Sequence, residues 1–277
     1  MKKILTDGKD INDIIQKYQD GRSTYYLSKE YKCDRTVIRR VLIENNVLMR
    51  DQYGRCRKFS MDESFFDRID SEEKSYWLGF LYADGCVKKN GNSYTVALQL
   101  SSKDREVISK FKKALKSDHK IATYIDKRNG KSYHGLYLGS YKLAMSLIKL
   151  GCGLRKTFTA EIPFDHIPDE MFVHFMRGYF DGDGCITCKH KKYKYASVQI
   201  CVSYKFGFQL QEYLLKRYNI KSCLSPDRSI YTVSLSNQQA LSFLRLIYEN
   251  SNIHLDRKHR SYLLALERER ERKKRRR

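Results

Sequence analysis

Asp84 and Asp183 share a setting that recurs in the chain. Each closes an apolar run and is followed by glycine, in Trp77-Leu78-Gly79-Phe80-Leu81-Tyr82-Ala83-Asp84-Gly85-Cys86-Val87 and in Met176-Arg177-Gly178-Tyr179-Phe180-Asp181-Gly182-Asp183-Gly184-Cys185-Ile186. The matched Gly, Asp, Gly and Cys positions keep a single offset of 99 residues. Small residues recur four apart, Gly79 with Ala83 and Gly178 with Gly182. That spacing places them on one helical face, where missing bulk lets two backbones come together. Two helices packed along these faces would bring Asp84 and Asp183 side by side. Neighbouring carboxylates repel unless a cation lies between them. Hard divalent ions such as Mg²⁺ prefer carboxylate oxygens together with water and phosphate. Such an ion can activate water and stabilise a leaving oxygen in phosphodiester hydrolysis. The plainer reading is a buried helix pair ending in two Asp-Gly turns, but the duplication and the matching elements downstream weigh against it.

Those downstream elements follow the same order in both copies. An alternating segment (Tyr94 to Leu100; Ser197 to Val202) predicts a strand. A helical stretch follows (Arg105 to Leu115; Phe206 to Tyr218), then a pair of strand-like runs (Lys120 to Leu138; Cys223 to Leu235) and a last helix (Tyr141 to Leu150; Gln238 to Tyr248). Each copy reads αββαββα, which makes the fold class α+β with two pseudo-symmetric repeats. We assign the first repeat to residues 71–158 and the second to 171–265. Residues 159–170, with Pro163 and Pro168, form a linker between them.

Ahead of the repeats, residues 1–50 read as three short helices, and 51–70 as a polar linker. In the third helix, Asp34 to about Asn45, Val37, Ile38, Val41 and Leu42 occupy one arc, and Arg35, Thr36, Arg39 and Arg40 the other. A helix buried on one side and cationic on the other suits a major groove, so this module reads as a helix-turn-helix. A small bundle with an incidentally basic face is the alternative.

Charge narrows the partner. The chain has 54 Lys and Arg against 32 Asp and Glu, a formal net charge of +22. Nucleic acid is the polyanion that such an excess fits best, because each neutralised phosphate releases counterions. No apolar run reaches the roughly 20 residues needed to span a bilayer, and the first residues lack a secretory signal's apolar core. With its eight cysteines scattered, the chain reads as an intracellular protein with no membrane partner, placed in the cytoplasm or nucleoid of a bacterial or phage-infected cell, or in an organelle.

The doubled motif resembles that of the LAGLIDADG homing endonucleases, in the form that carries both motifs on one chain. The resemblance covers about residues 70–265. It implies two repeats that build a DNA-binding saddle, and a monomer that cleaves double-stranded DNA at a long, nearly palindromic site. It further implies that Asp84 and Asp183 bind Mg²⁺ or Mn²⁺, helped by the backbone carbonyls of Ala83 and Gly182, and that Lys156 and Lys258 act as the basic catalytic residues. The first copy departs from the pattern with Tyr82 where the family has Asp, a position outside the metal ligands. Arg177 is unusual in an apolar helix, and we expect it to face a polar edge or the DNA. A regulator that binds DNA without cutting and an intron RNA maturase are the alternatives on the same scaffold.

DNA contacts are expected from basic positions on the strand hairpins, namely Lys88 and Lys89, Lys127 and Arg128, Lys191, Lys192 and Lys194, and Arg228, interleaved with tyrosines. From the N-terminal module, Arg35, Arg39 and Arg40 join them. Residues 266–277 read as a basic tail, an exposed or fraying helix.

Overall fold

The computed structural model describes residues 8–47, 49, 59–91, 93–128, 130–154, 158–187 and 196–274. The chain divides into two compact units, Met1–Arg57 and Lys58–Arg277.

In the first unit, α1 (Gly8–Gln19), α2 (Thr24–Glu30) and α3 (Arg35–Glu44) surround a core of Ile14, Tyr18, Leu27, Ile38, Val41 and Leu42. Ser23 caps α2 by accepting from Tyr26 N, and Asp34 caps α3 by accepting from Thr36 N, so each start satisfies an otherwise orphan amide. Arg35, Thr36, Arg39 and Arg40 are exposed. Arg35 is also structural, because its Nε donates to Oγ1 of the buried Thr24 at 3.0 Å.

The second unit holds the two repeats, an α+β arrangement with two four-stranded antiparallel sheets. α4 (Glu72–Asp84) leads into β1 (Gly85–Asn90), β2 (Ser93–Ser101), α5 (Arg105–Ala114), β3 (Ala122–Ile125), β4 (Ser132–Gly139) and α6 (Tyr141–Lys149). The same order then returns in α7 (Phe172–Asp183), β5 (Gly184–Thr187), β6 (Ser197–Val202), α8 (Tyr204–Tyr218), β7 (Cys223–Asp227), β8 (Ile230–Ser236) and α9 (Asn237–Tyr248). The strand orders match, β1-β2-β4-β3 and β5-β6-β8-β7. In β1 and β5 the residue after the Asp-Gly step is exposed and the next is buried, the period-two pattern of a sheet with one face on the core.

α4 and α7 pack along each other at the centre. Tyr76 through Tyr82 are all buried, as expected for a helix surrounded by protein on every side. One hydrophobic core runs through both repeats.

Three segments differ from their sequence reading. Residues 59–70, read as linker from their polarity, put Phe65, Phe66 and Ile69 into the core. The proline-bearing stretch between the repeats likewise buries Ala160, Ile162 and Ile167. A few large apolar side chains decided both outcomes, outweighing the charged residues around them. The tail continues a long helix, α10 (Asp256–Lys274), in which Glu269 is buried and paired with Arg245 and with Lys273 at 3.2 Å. Among the described residues, no helix is long and apolar enough to cross a membrane.

Candidate metal centre and basic surface

The joint between the motif helices is made of main chain. A methyl group added at Gly79 would lie 2.0 Å from Phe175 O and 2.8 Å from Tyr179 N. One added at Gly178 would lie 1.9 Å from Tyr76 O and 2.8 Å from Phe80 N. These contacts exchange under the repeat offset, so the two helices are related by a pseudo-twofold axis through the glycine pair. Their C-terminal ends therefore emerge together. A methyl at Gly182 would meet Ala83 Cβ at 2.3 Å and Asp84 Oδ2 at 3.1 Å. The Asp84 carboxylate thus rests against the backbone that immediately precedes Asp183. Asp84 is exposed and Asp183 half-buried, so this pair faces solvent at the foot of the two sheets.

Lys258 approaches the same point from below. It lies in the first turn of α10, only 5% exposed, and its Nζ donates to Phe180 O at 2.6 Å and Gly182 O at 3.2 Å. Both acceptors belong to the carbonyl end of α7, where a helix favours a cation. Burial pulls the Lys258 ammonium down to about 8, against the opposing attraction of Asp181, Asp84 and Asp183.

Asp84, Asp183, Ala83, Gly182 and Lys258 are therefore brought together. Lys156 lies outside the described residues, as do Lys191, Lys192 and Lys194. Among the described residues, no group of three or more His, Cys, Asp or Glu is placed to hold a metal. The donor set is two carboxylates plus carbonyl oxygens, which suits a hard ion that keeps water or phosphate in its remaining positions. A carbonyl oxygen has two lone pairs, so the bond from Lys258 leaves Gly182 O able to face a second cation.

Two buried residues of α7 were misjudged or passed over in the sequence. Arg177 is only 1% exposed and does not reach a surface. Its Nε donates to Ile253 O at 2.7 Å, Nη1 to Ile247 O at 2.8 Å, and Nη2 to Glu72 Oε1 at 2.6 Å. This corrects the expectation of a polar edge or a DNA contact, because inward-turned carbonyls needed a donor. Asp181 is equally buried and accepts from Tyr248 OH at 2.5 Å, Leu255 N at 2.6 Å and Tyr76 OH at 2.9 Å. Burial pushes its carboxyl up to about 6, with these bonds and Lys258 working the other way. Their being charged residues in an apolar helix was the only available signal.

The basic positions that are described lie at hairpin ends. Lys88 and Lys89 are exposed at the end of β1, and Lys127 and Arg128 in the β3–β4 turn. Arg228 is exposed in the β7–β8 turn with φ of 55°. Arg128 pairs with Asp126 at 2.9 Å, which offsets part of its charge.

Replication factor C small subunit of Methanocaldococcus jannaschii is 26% identical over 219 residues, which make up 77% of this chain but 11% of that protein. Among solved structures, the N-terminal LAGLIDADG domain of DUF199/WhiA is 17% identical with a TM-score of 0.44, over 72% of this chain and 93% of that one. The homing endonuclease I-WcaI bound to its DNA recognition sequence is 11% identical with a TM-score of 0.49, over 72% and 91%. I-DmoI in complex with DNA and Ca is 14% identical with a TM-score of 0.45, over 70% and 94%. The LAGLIDADG-like domain matches residues 71–163 and again 171–263, together more than half of the sequence, and the chain belongs to that family.

Proposed function

We propose that this protein is a sequence-specific endonuclease that hydrolyses phosphodiester bonds of double-stranded DNA with divalent metal ions, Mg²⁺ or Mn²⁺. The observation that carries the reading is the packing of the Asp84 carboxylate against Gly182, with Lys258 bonded to that residue's carbonyl. Asp84, Asp183 and the carbonyls of Ala83 and Gly182 would hold the metal, which supplies Lewis acidity and an acidified water.

The chain's own residues do the rest. Asp84 and Asp183 come from opposite sides of the pseudo-twofold joint, one for each DNA strand. Lys258 sits under the carbonyl end of α7 and acts through its field, favouring the negative charge that builds on a phosphate during attack. Lys156 is its counterpart for the other strand. Lys88, Lys89, Lys127, Arg128 and Arg228, with Lys191, Lys192 and Lys194, hold the duplex along the two sheets, mostly through phosphates. The exposed Gln99, Tyr137 and Gln199 lie on strands β2, β4 and β6, where alternate positions can meet base edges. In the N-terminal unit, a helix-turn-helix, α3 enters a major groove with Arg35, Arg39 and Arg40. Two related halves on one chain suit a monomer on a long, nearly palindromic target. A binder that does not cut would need the saddle but not the paired acids, and both acids are present.

The test is selection of cleaved sites from a random duplex library in Mg²⁺, repeated with Asp84→Asn and Asp183→Asn. Each substitution is expected to leave binding nearly intact and to abolish cutting. Undiminished cleavage by both variants would remove the proposed centre.

A further inference from the structure

The turn between α9 and α10, residues 249–255, leads directly into the helix that carries Lys258. Both motif helices grip it. Arg177, from α7, holds the carbonyls of Ile247 and Ile253. Glu72, from α4, accepts from the guanidinium and also from Asn252, N at 2.9 Å to Oε1 and Nδ2 at 2.8 Å to Oε2. Leu255 then donates to Asp181 at 2.6 Å, and its own carbonyl accepts from Lys258 N at 2.9 Å. From the guanidinium to Lys258 the path runs through these hydrogen bonds and the short stretch of chain from Asn252 to Leu255.

Stability alone does not account for this arrangement. A buried ion pair is often no better than well-packed apolar residues of the same size. The first repeat shows the apolar solution, with Leu78 at the position matching Arg177. A network of this kind fixes geometry, and what it fixes is the start of α10.

We propose that Arg177 and Glu72 are positioning residues that act through the 249–255 turn to set Lys258 beside the acid pair, and so support one of the two strand cuts more than the other. The inference rests on the nuclease reading above.

The test uses the full chain, a duplex recovered by the library selection and labelled on either strand, and single-turnover nicking rates in Mg²⁺. Lys258→Met first identifies the strand that depends on Lys258. Arg177→Leu and Glu72→Gln are each expected to slow that strand about tenfold to a hundredfold, the size of a misplacement effect near 1 Å, with the other strand and DNA binding unchanged. Combined with Lys258→Met, neither should slow it further, because both act through the same ammonium. Equal slowing of both strands, or additive slowing in the double variants, would overturn the proposal. If Arg177→Leu does not fold, Glu72→Gln decides: its carboxamide keeps the size of the side chain and one acceptor oxygen, but loses the second acceptor and the charge that faces Arg177. Wild-type protein that cuts neither strand, or Lys258→Met that slows neither, defeats the nuclease reading and this inference with it. Wild-type rates on both strands in the Arg177 and Glu72 variants, with Lys258→Met impaired, defeat the inference alone.

Discussion

The two repeats share a backbone and differ in how each secures the segment after its last sheet helix. In the first, Tyr82 OH donates to Leu150 O at 2.6 Å, and Cys152 Sγ lies 3.5 Å from Leu81 O. Both ties are neutral. In the second, Asp181 stands where Tyr82 does and Lys258 donates to Phe180 O, the counterpart of Leu81 O; Arg177, in place of Leu78, adds two more, and each of the five bonds to the α9–α10 region has a charged partner. The outer helices differ in the opposite sense. α5 shows solvent Arg105 and Ser109, whereas the same face of α8 shows Tyr204, Phe208 and Leu215, at 55%, 51% and 47% exposure. A duplicated fold therefore tolerates either chemistry at an anchor, provided the main chain is held, and the choice shows where fixed geometry matters.

Grafting one repeat's solution into the other tests that statement. The largest effect is expected at the joint, which both repeats share. Gly79→Val and Gly178→Val place a side chain inside a carbonyl's radius, and each should cost about 3 kcal/mol or more in chemical denaturation. A cost at one glycine only would mean that the pseudo-symmetry fails there. Next comes Asp181→Asn, which puts an amide among three donors and leaves Lys258 without its first counter-charge. About 2–4 kcal/mol is expected, against about 1 kcal/mol for the matching Tyr82→Phe. Similar losses at both positions would erase the distinction between ionic and neutral anchors.

Asp181→Asn should also change the pH dependence. The folded-state value near 6 lies above the ordinary 3.8, so the folded protein holds a proton that the unfolded chain has released between those values. This contribution is fully present below 3.8 and lost as pH rises through about 6, and the variant should lack that component of the slope in metal-free denaturation curves. An identical slope in both proteins would argue that Asp181 ionises normally. The smallest effect is expected on the surface. Phe208→Ser with Leu215→Lys, which gives α8 the polar character of α5, should shift stability by less than about 0.5 kcal/mol per substitution. A larger loss would show that these side chains are covered.

Much of this was legible in the sequence, and the reason is local. Gly79, Gly178, Asp84 and Asp183 announce themselves because the helix joint needs fixed spacing within a dozen residues, and the strands show through alternation at short range. Lys258 was reachable only through the family resemblance, since nothing near it in the chain marks it. Arg177, Asp181 and Glu72 were beyond reach for a related reason: these partners lie 67 to 180 residues away. Phe65 and Phe66 were hidden by charged neighbours, and α10 by its run of alternating Glu and Arg, which conceals the face that buries Tyr262, Ala265 and Glu269.

Peptide atoms, rather than side chains, set the gauge of the central joint. Substitutions elsewhere can reshape the surface that each half presents, yet none of them alters the length of a carbonyl or an amide. The halves are therefore free to differ in what they touch, while the gap between their two acids stays set by the contact of one backbone with the other.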